Sequence, residues 1–178
     1  MKKLLILGII MISAGASSQE IYDFSRDSDM KDWYIVDDRV MGGRSQGSMV
    51  LSDEGHAIFD GRVSLENNGG FSSVRYQNAG ITSEPYSKFR IRLKGDGKNY
   101  QFRVRSQLRE YQSYVYEFST SGDWQVIDIP FKEMYPSWRG RKLDMPNYPG
   151  KTAREFSFLI SNKVKENFRL EIDKIWME

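Results

Sequence analysis

The chain has 178 residues, 39% of them hydrophobic and 13% aromatic, enough for one domain with a real core. Its 26 basic and 24 acidic residues leave a formal charge of +2, so the net basic footprint of a nucleic-acid-binding protein is missing. There is no cysteine and a single histidine, His56, which excludes disulfides, thiolate nucleophiles and Cys-ligated zinc. A histidine-based triad also lacks any G-x-S-x-G context.

The first sixteen residues read as a secretory signal peptide. Lys2 and Lys3 form a positive start, Leu4 to Ile12 an apolar run, and Ala14-Gly15-Ala16 an A-x-A cleavage pattern. The apolar run falls short of the about 20 residues that span a bilayer. No cysteine follows it, so a lipid-anchored form is excluded. The domain is therefore expected over residues 17–178, exported to a periplasm or the cell exterior. Both leader lysines leave on cleavage, and the mature chain is formally neutral.

From there the apolar residues recur with a period of two almost everywhere. Strands are predicted over 21–24, 33–36, 48–52, 56–65, 71–76, 87–94, 100–106, 113–119, 124–129, 156–161 and 168–176. Turn residues separate them, so the fold class is an all-β sandwich or barrel without repeats or linkers. Asp23, Asp27, Asp29, Asp32, Asp37 and Asp38 cluster near the start. Asp27-Ser28-Asp29 opens like an EF-hand loop, but Lys31 takes the next ligand position and no glycine follows. A sandwich-type calcium site built from loop carboxylates stays open beside the plain reading of turn-forming aspartates; no other cofactor is expected.

Next comes Asp37-Asp38-Arg39-Val40-Met41-Gly42-Gly43-Arg44-Ser45. It has neither G-x-G-x-x-G spacing nor a G-K-[ST] ending, and it precedes a strand rather than a helix, so it is not a phosphate loop. Its glycines read as a tight connection, in which Asp37 and Asp38 could fold back on backbone amides.

Further on, Phe89–Lys94 and Tyr100–Arg105 each alternate apolar with polar or basic residues around Asp96-Gly97. A type I′ turn there would pair Gly95 with Lys98 and set Ile91 opposite Phe102. All apolar side chains then share the core face. Arg90, Arg92, Lys94, Arg103 and Arg105 share the other, either as a solvated face with ion pairs or as an anion- or saccharide-binding surface. The segment 131–153 shows no clear period. It carries Tyr135, Trp138, Arg139, Arg141 and Tyr148, residues that stack on sugars or grip a protein, or that simply cover the sandwich end. Asp60, Glu66, Glu117 and Asp173 lie on or beside strands, and nothing in the sequence selects a catalytic pair among them.

Several blocks, in order, resemble the complex I intermediate-associated protein family. They are Trp33 to Ser45 as W-x-x-x-D-D-x-V-M-G-G-x-S and Phe59 to Arg75 as an F-x-G-x-V-S-x-E block with one extra Asn. Then follow Tyr116-Glu117-Phe118, Ile129-Pro130-Phe131, Trp138-Arg139-Gly140-Arg141 and Phe168 to Ile175. The resemblance implies a galactose-binding-like jelly-roll β-sandwich. It also implies a chaperone-like, non-catalytic binding protein that assists assembly of respiratory complex I in mitochondria. Gly42, Gly43, Gly69 and Gly70 would be structural turns. Asp37 or Asp38 is expected to pair with Arg44 or Arg75, beside Asn68, as a shared polar site or a buried ion-pair network. The leading expectation is an exported, non-enzymatic domain that binds a protein partner. A carbohydrate-binding module using Trp138, Arg139, Arg141 and the basic sheet face comes next, and a glycoside hydrolase last.

Overall fold

A computed structural model describes residues 17–178, so the leader expected over residues 1–16 lies outside the described residues. Two antiparallel sheets pack face to face. The first joins β3 (Gln46–Leu51), β4 (Ala57–Val63), β13 (Glu166–Met177), β6 (Lys88–Lys94) and β9 (Trp124–Pro130) in that order, and β1 (Gln19–Asp23) also pairs with β13. The second runs β11 (Arg141–Lys142), β10 (Tyr135–Trp138), β8 (Ser113–Ser119), β7 (Asn99–Arg105), β12 (Thr152–Ile160), β5 (Ser72–Thr82) and β2 (Trp33–Asp37). This is the expected all-β jelly-roll sandwich.

Alternation builds the core. On β6, Phe89, Ile91 and Leu93 are fully buried, as are Phe102 and Val104 on β7 and Phe156 and Phe158 on β12. The Phe89 ring meets Phe102 at 5.5 Å and Phe156 at 5.7 Å, both edge-on, and so ties the sheets together.

The predicted β6–β7 hairpin does not form. β6 pairs with β9 and β13, whereas β7 pairs with β8 and β12. The chain crosses from one sheet to the other through Asp96, which accepts from Lys98 Nζ (2.7 Å), Tyr100 Oη (3.0 Å) and the Arg169 amide (2.9 Å). Pairing would have set like charges directly opposite one another, which is unfavourable. In the sandwich the two apolar faces still meet, but across the core. Arg90, Arg92 and Lys94 end on the outer face opposite Arg103 and Arg105. Acids balance the first group: Arg90 pairs with Asp128 (2.6 Å) and Glu178 (3.0 Å), and Arg92 with Asp173 (2.7 Å). The expected continuous basic face is therefore two separate faces.

The aperiodic segment 131–153 is also more ordered than its pattern suggests. It contains β10 and β11, with β10 held to β8 by the Tyr135↔Val115 and Ser137↔Ser113 registers. Pro136 and Gly140 mask the strand signal, since proline brings no N–H to a ladder and glycine weakens a strand pattern.

Candidate functional site

The run Asp37–Ser45 leaves the end of β2 as a short 3-10 turn that stops at Gly42, whose φ is +90°. Asp38 is fully buried. Its Oδ1 accepts the Ser45 amide at 2.9 Å. Its Oδ2 accepts the amides of Gly70 (2.6 Å) and Phe71 (3.2 Å) and the Ser45 hydroxyl. Burial pushes the Asp38 carboxyl up, but these bonds to its charged form outweigh burial and hold it below the usual carboxylate value. Gly43 and Gly69 pass so close that a Cβ on either would collide with the Asp38 carboxylate. Asp37 accepts the Gly47 amide (3.1 Å) and the Ser72 hydroxyl (2.6 Å). The signature is thus a staple: two aspartates bind backbone amides from β3 and from the turn that enters β5.

That geometry corrects the expected Asp–Arg pairing. Arg44 turns to Glu66 at 3.0 Å, with both side chains largely exposed, and Arg75 turns to Glu155 at 3.5 Å. Asn68 is exposed, with φ +58° in a turn, where asparagine tolerates the left-handed region. Gly42 and Gly70 do occupy positive-φ positions.

The other expected chemistry is dispersed. Asp60 bonds Ser48 at 2.5 Å and Glu117 accepts from Gln101 (3.0 Å) and Tyr135 (2.9 Å) on the opposite sheet. Asp60 is in register with Arg169, which places Asp173 four residues on, about 13 Å along the neighbouring strand. Carboxylate pairs in glycosidases sit roughly 5–9.5 Å apart. His56 lies 3.0 Å from Asp173, at the start of β4, and its ring packs at a tilt against Trp124, 4.6 Å between centroids. Asp23 pairs with Lys174 and Asp29 with Lys31. Among the described residues, no three His, Asp or Glu side chains gather as a metal-ligand set.

What the fold does assemble is a groove of about 440 Å³ on the outer face of the second sheet. One row of outward residues crosses six strands in register: Tyr34, Arg75, Ser157, Arg103, Val115 and Tyr135. Arg105 lies one pleat along β7 from Arg103. Arg75 and Arg103 are two strands apart, roughly 9–10 Å. The floor therefore carries three guanidinium groups around one buried carboxylate, Glu155, which is only 2% exposed. Glu155 lies 3.5 Å from Arg75 and 3.9 Å from Arg105, and it accepts from Tyr34 Oη and Gln77 Nε2, each at 3.1 Å. Arg105 also donates to the carbonyls of Leu108 and Glu110.

Arg103 is different. Among the described residues no carboxylate closes on it as an ion pair, and its buried Nε lacks a hydrogen-bond partner. Burial, then the neighbouring Arg75, lowers its pKa to about 10, which still leaves it charged at neutral pH. The Nε atoms of Arg75 and Arg105 are likewise buried without a partner.

The β10–β11 turn forms one wall. Trp138 is 42% exposed, its ring stands edge-on to Tyr111 at 5.8 Å, and Arg139 lies over it at 4.8 Å. Arg139 and Gly140 make the turn with φ of +48° and +75°. Met41, 61% exposed, and Phe71 reach the groove from the staple side. Arg75, Arg103, Arg105, Trp138 and Arg139 thus come together, while Arg141 is exposed on β11, Asp37 and Asp38 make the staple, and Arg44 and Asn68 stay exposed beside it. Glu155 and Tyr111 were not singled out in the sequence. The outward position of Glu155 is readable only once β12 is known to start at Thr152 rather than Phe156.

Among the described residues no helix is long and apolar enough to cross a membrane. A family model described as Complex I intermediate-associated protein 30 matches residues 22–172. A mouse protein named Complex I intermediate-associated protein 30, mitochondrial, is 28% identical over 87% of this chain and 54% of its own length. A Drosophila melanogaster protein of the same name is 23% identical over 95% of this chain and 66% of its own. The chain thus spans about half to two-thirds of the length of these relatives. Their mitochondrial naming, repeated for a probable Caenorhabditis elegans relative, overturns the expectation of an exported, periplasmic or extracellular protein. The apolar leader pattern alone carried that expectation.

Solved structures share the fold at low identity. A family 11 carbohydrate-binding module of a Clostridium thermocellum cellulosomal cellulase superposes with a TM-score of 0.65 at 14% identity, covering 92% of this chain and 95% of that one. An agarase superposes with a TM-score of 0.61 at 10% identity, covering 90% of this chain and 24% of the agarase.

Proposed function

The chain belongs to the Complex I intermediate-associated protein 30 family, and we propose from that premise that it is a non-enzymatic domain that binds a protein partner during assembly of complex I. The groove of the second sheet is its contact surface. The observation that carries this reading is the arrangement around Arg103: charged floor, exposed aromatic wall and an apolar rim on one rigid sheet. Aromatic and arginine side chains at the centre of a patch are what protein interfaces concentrate. The dispersed carboxylates support a binding role over hydrolysis.

Deletion of the chain from its native cell, followed by native gel electrophoresis of complex I, tests this. The expected result is a fall in mature complex I with accumulation of a smaller intermediate, rescued by the wild-type chain. Unchanged complex I would sink the reading.

A saccharide-binding groove is the second reading, favoured by the exposed rings of Trp138 and Tyr111 in a concave site. It ranks lower because the two rings are nearly perpendicular, at 85°, so they do not form one stacking platform. Polysaccharide binding lost in Trp138→Ala would raise it.

A further inference from the structure

We infer that the groove recognises an acidic, apolar-flanked segment of the partner protein, whose carboxylates close on Arg103 in the floor and Arg139 on the rim. This rests on the proposed protein-binding role and names the chemistry of the partner.

Charge complementarity carries the inference. Arg75, Arg103, Arg105 and Arg139 border one groove, and Glu155 is the carboxylate among them. Glu155 is shared by Arg75 and Arg105, and Arg105 is further occupied by two backbone carbonyls. Arg103 and Arg139 retain donor capacity that the described residues do not take up. A guanidinium sunk in a sheet surface without a carboxylate leaves desolvation uncompensated, and a carboxylate from outside supplies the missing half with two parallel hydrogen bonds.

The surroundings choose a peptide. Met41 and Phe71 lie on one side of the arginines, and Trp138 and Tyr111 on the other. A ligand that fits has negative charge at its centre and apolar groups around it. In an extended peptide, side chains at i and i+2 project to one side about 6.6–6.8 Å apart, so acids and apolar anchors can alternate across the groove. A nucleic-acid strand or sulfated polysaccharide presents charge along its whole length and leaves the apolar flanks uncovered.

The test uses the full chain immobilised against a library of capped decapeptides. Positions 4 and 6, which share one side of an extended peptide, are fixed as glutamate, glutamine or lysine, and the other positions are randomised. Retained peptides are sequenced, and the best is measured by fluorescence anisotropy. The expected result is enrichment of the glutamate set with leucine, methionine or aromatic flanks. Replacing both glutamates by glutamine in the best peptide should weaken it at least tenfold, with weaker binding at higher salt. Arg103→Gln and Arg139→Gln should each cost a similar factor, whereas Arg90→Gln on the opposite sheet should change nothing. Arg139 is on an exposed turn, so its variant keeps the test valid even if Arg103→Gln fails to fold. No retained peptides, no preference for glutamate, or tighter binding of a heparin oligosaccharide or a short oligonucleotide would overturn the inference. Loss of complex I on deletion, together with no glutamate preference, would overturn only the acidic partner and leave the assembly role standing.

Discussion

Asp38→Asn changes one atom type at the centre of the staple, and its cost can be worked from the contacts. The carboxylate accepts three backbone amides and one hydroxyl while fully buried. Asparagine offers one acceptor oxygen. In its better orientation that oxygen faces Gly70, Phe71 and the Ser45 hydroxyl, and its NH2 then confronts the Ser45 amide. The Ser45 amide and the new NH2 are then both buried donors without an acceptor, at about 1–3 kcal/mol each, and the remaining bonds lose their charge assistance. The sum is roughly 3 kcal/mol, or about 6–12 °C in Tm for a domain of this size. Urea unfolding followed by tryptophan fluorescence measures it directly.

The pH dependence has a definite sign. Because the folded Asp38 pKa is depressed, its contribution is fully present above the unfolded aspartate value of about 3.9 and is lost as pH falls through the folded value. The gap between wild type and Asp38→Asn should therefore be constant near neutrality and shrink below about pH 4. A deficit under about 1 kcal/mol at pH 7, or a gap that does not narrow in acid, would refute the claim that this carboxylate holds the loop.

Other perturbations probe the neighbouring elements. Gly69→Ala places a Cβ 2.6 Å from Asp38 Oδ2 and 2.9 Å from the Ser64 carbonyl, so thermal melting should show a loss of about 1–3 kcal/mol through overpacking. Phe156→Ala empties the junction of the two sheets and should cost about 3–5 kcal/mol in denaturant titrations. Glu155→Gln removes the carboxylate from the groove; it should lower Tm measurably and tighten binding of glutamate peptides, and unchanged affinity would argue against electrostatic recognition there. Trp138→Ala should weaken those peptides severalfold by anisotropy with little change in Tm, because the ring is substantially exposed.

The strand faces were legible because alternation is a local property. Phe89, Ile91 and Leu93 read as inward from their own strand, and so do Phe102 and Val104. Alternation says which face a residue occupies but not which strand lies beside it, and that is why the β6–β7 hairpin failed. Both the hairpin and the crossover bury the same residues, and only the separation of like charges and the wider contacts of β9, β12 and β13 decide between them. The staple was visible as an odd run of aspartates and glycines, but its partners were not. That Asp37 and Asp38 fold back on backbone amides was legible, but amides have no side-chain signature, so Ser45, Gly70 and Phe71 could not be named and arginines were expected beside them. The groove was readable in pieces, with Arg75, Arg103, Arg105, Trp138 and Arg139 each marked. The strand order β10-β8-β7-β12-β5 brings them together, and Glu155 enters with β12, whose first residues are obscured by a register shift between Ala153 and Glu155.

On the proposed function, the outer face of the second sheet contacts a protein of the complex I assembly process. Site-specific photocrosslinking in the native cell tests it most directly, with a photoreactive residue placed at Tyr111 in the groove or at Val50 on the first sheet. Tyr111 should capture a complex I subunit or assembly intermediate, Val50 should not, and Arg103→Gln should abolish the capture. Equal capture from both faces, or capture at Tyr111 that ignores Arg103, would contradict it.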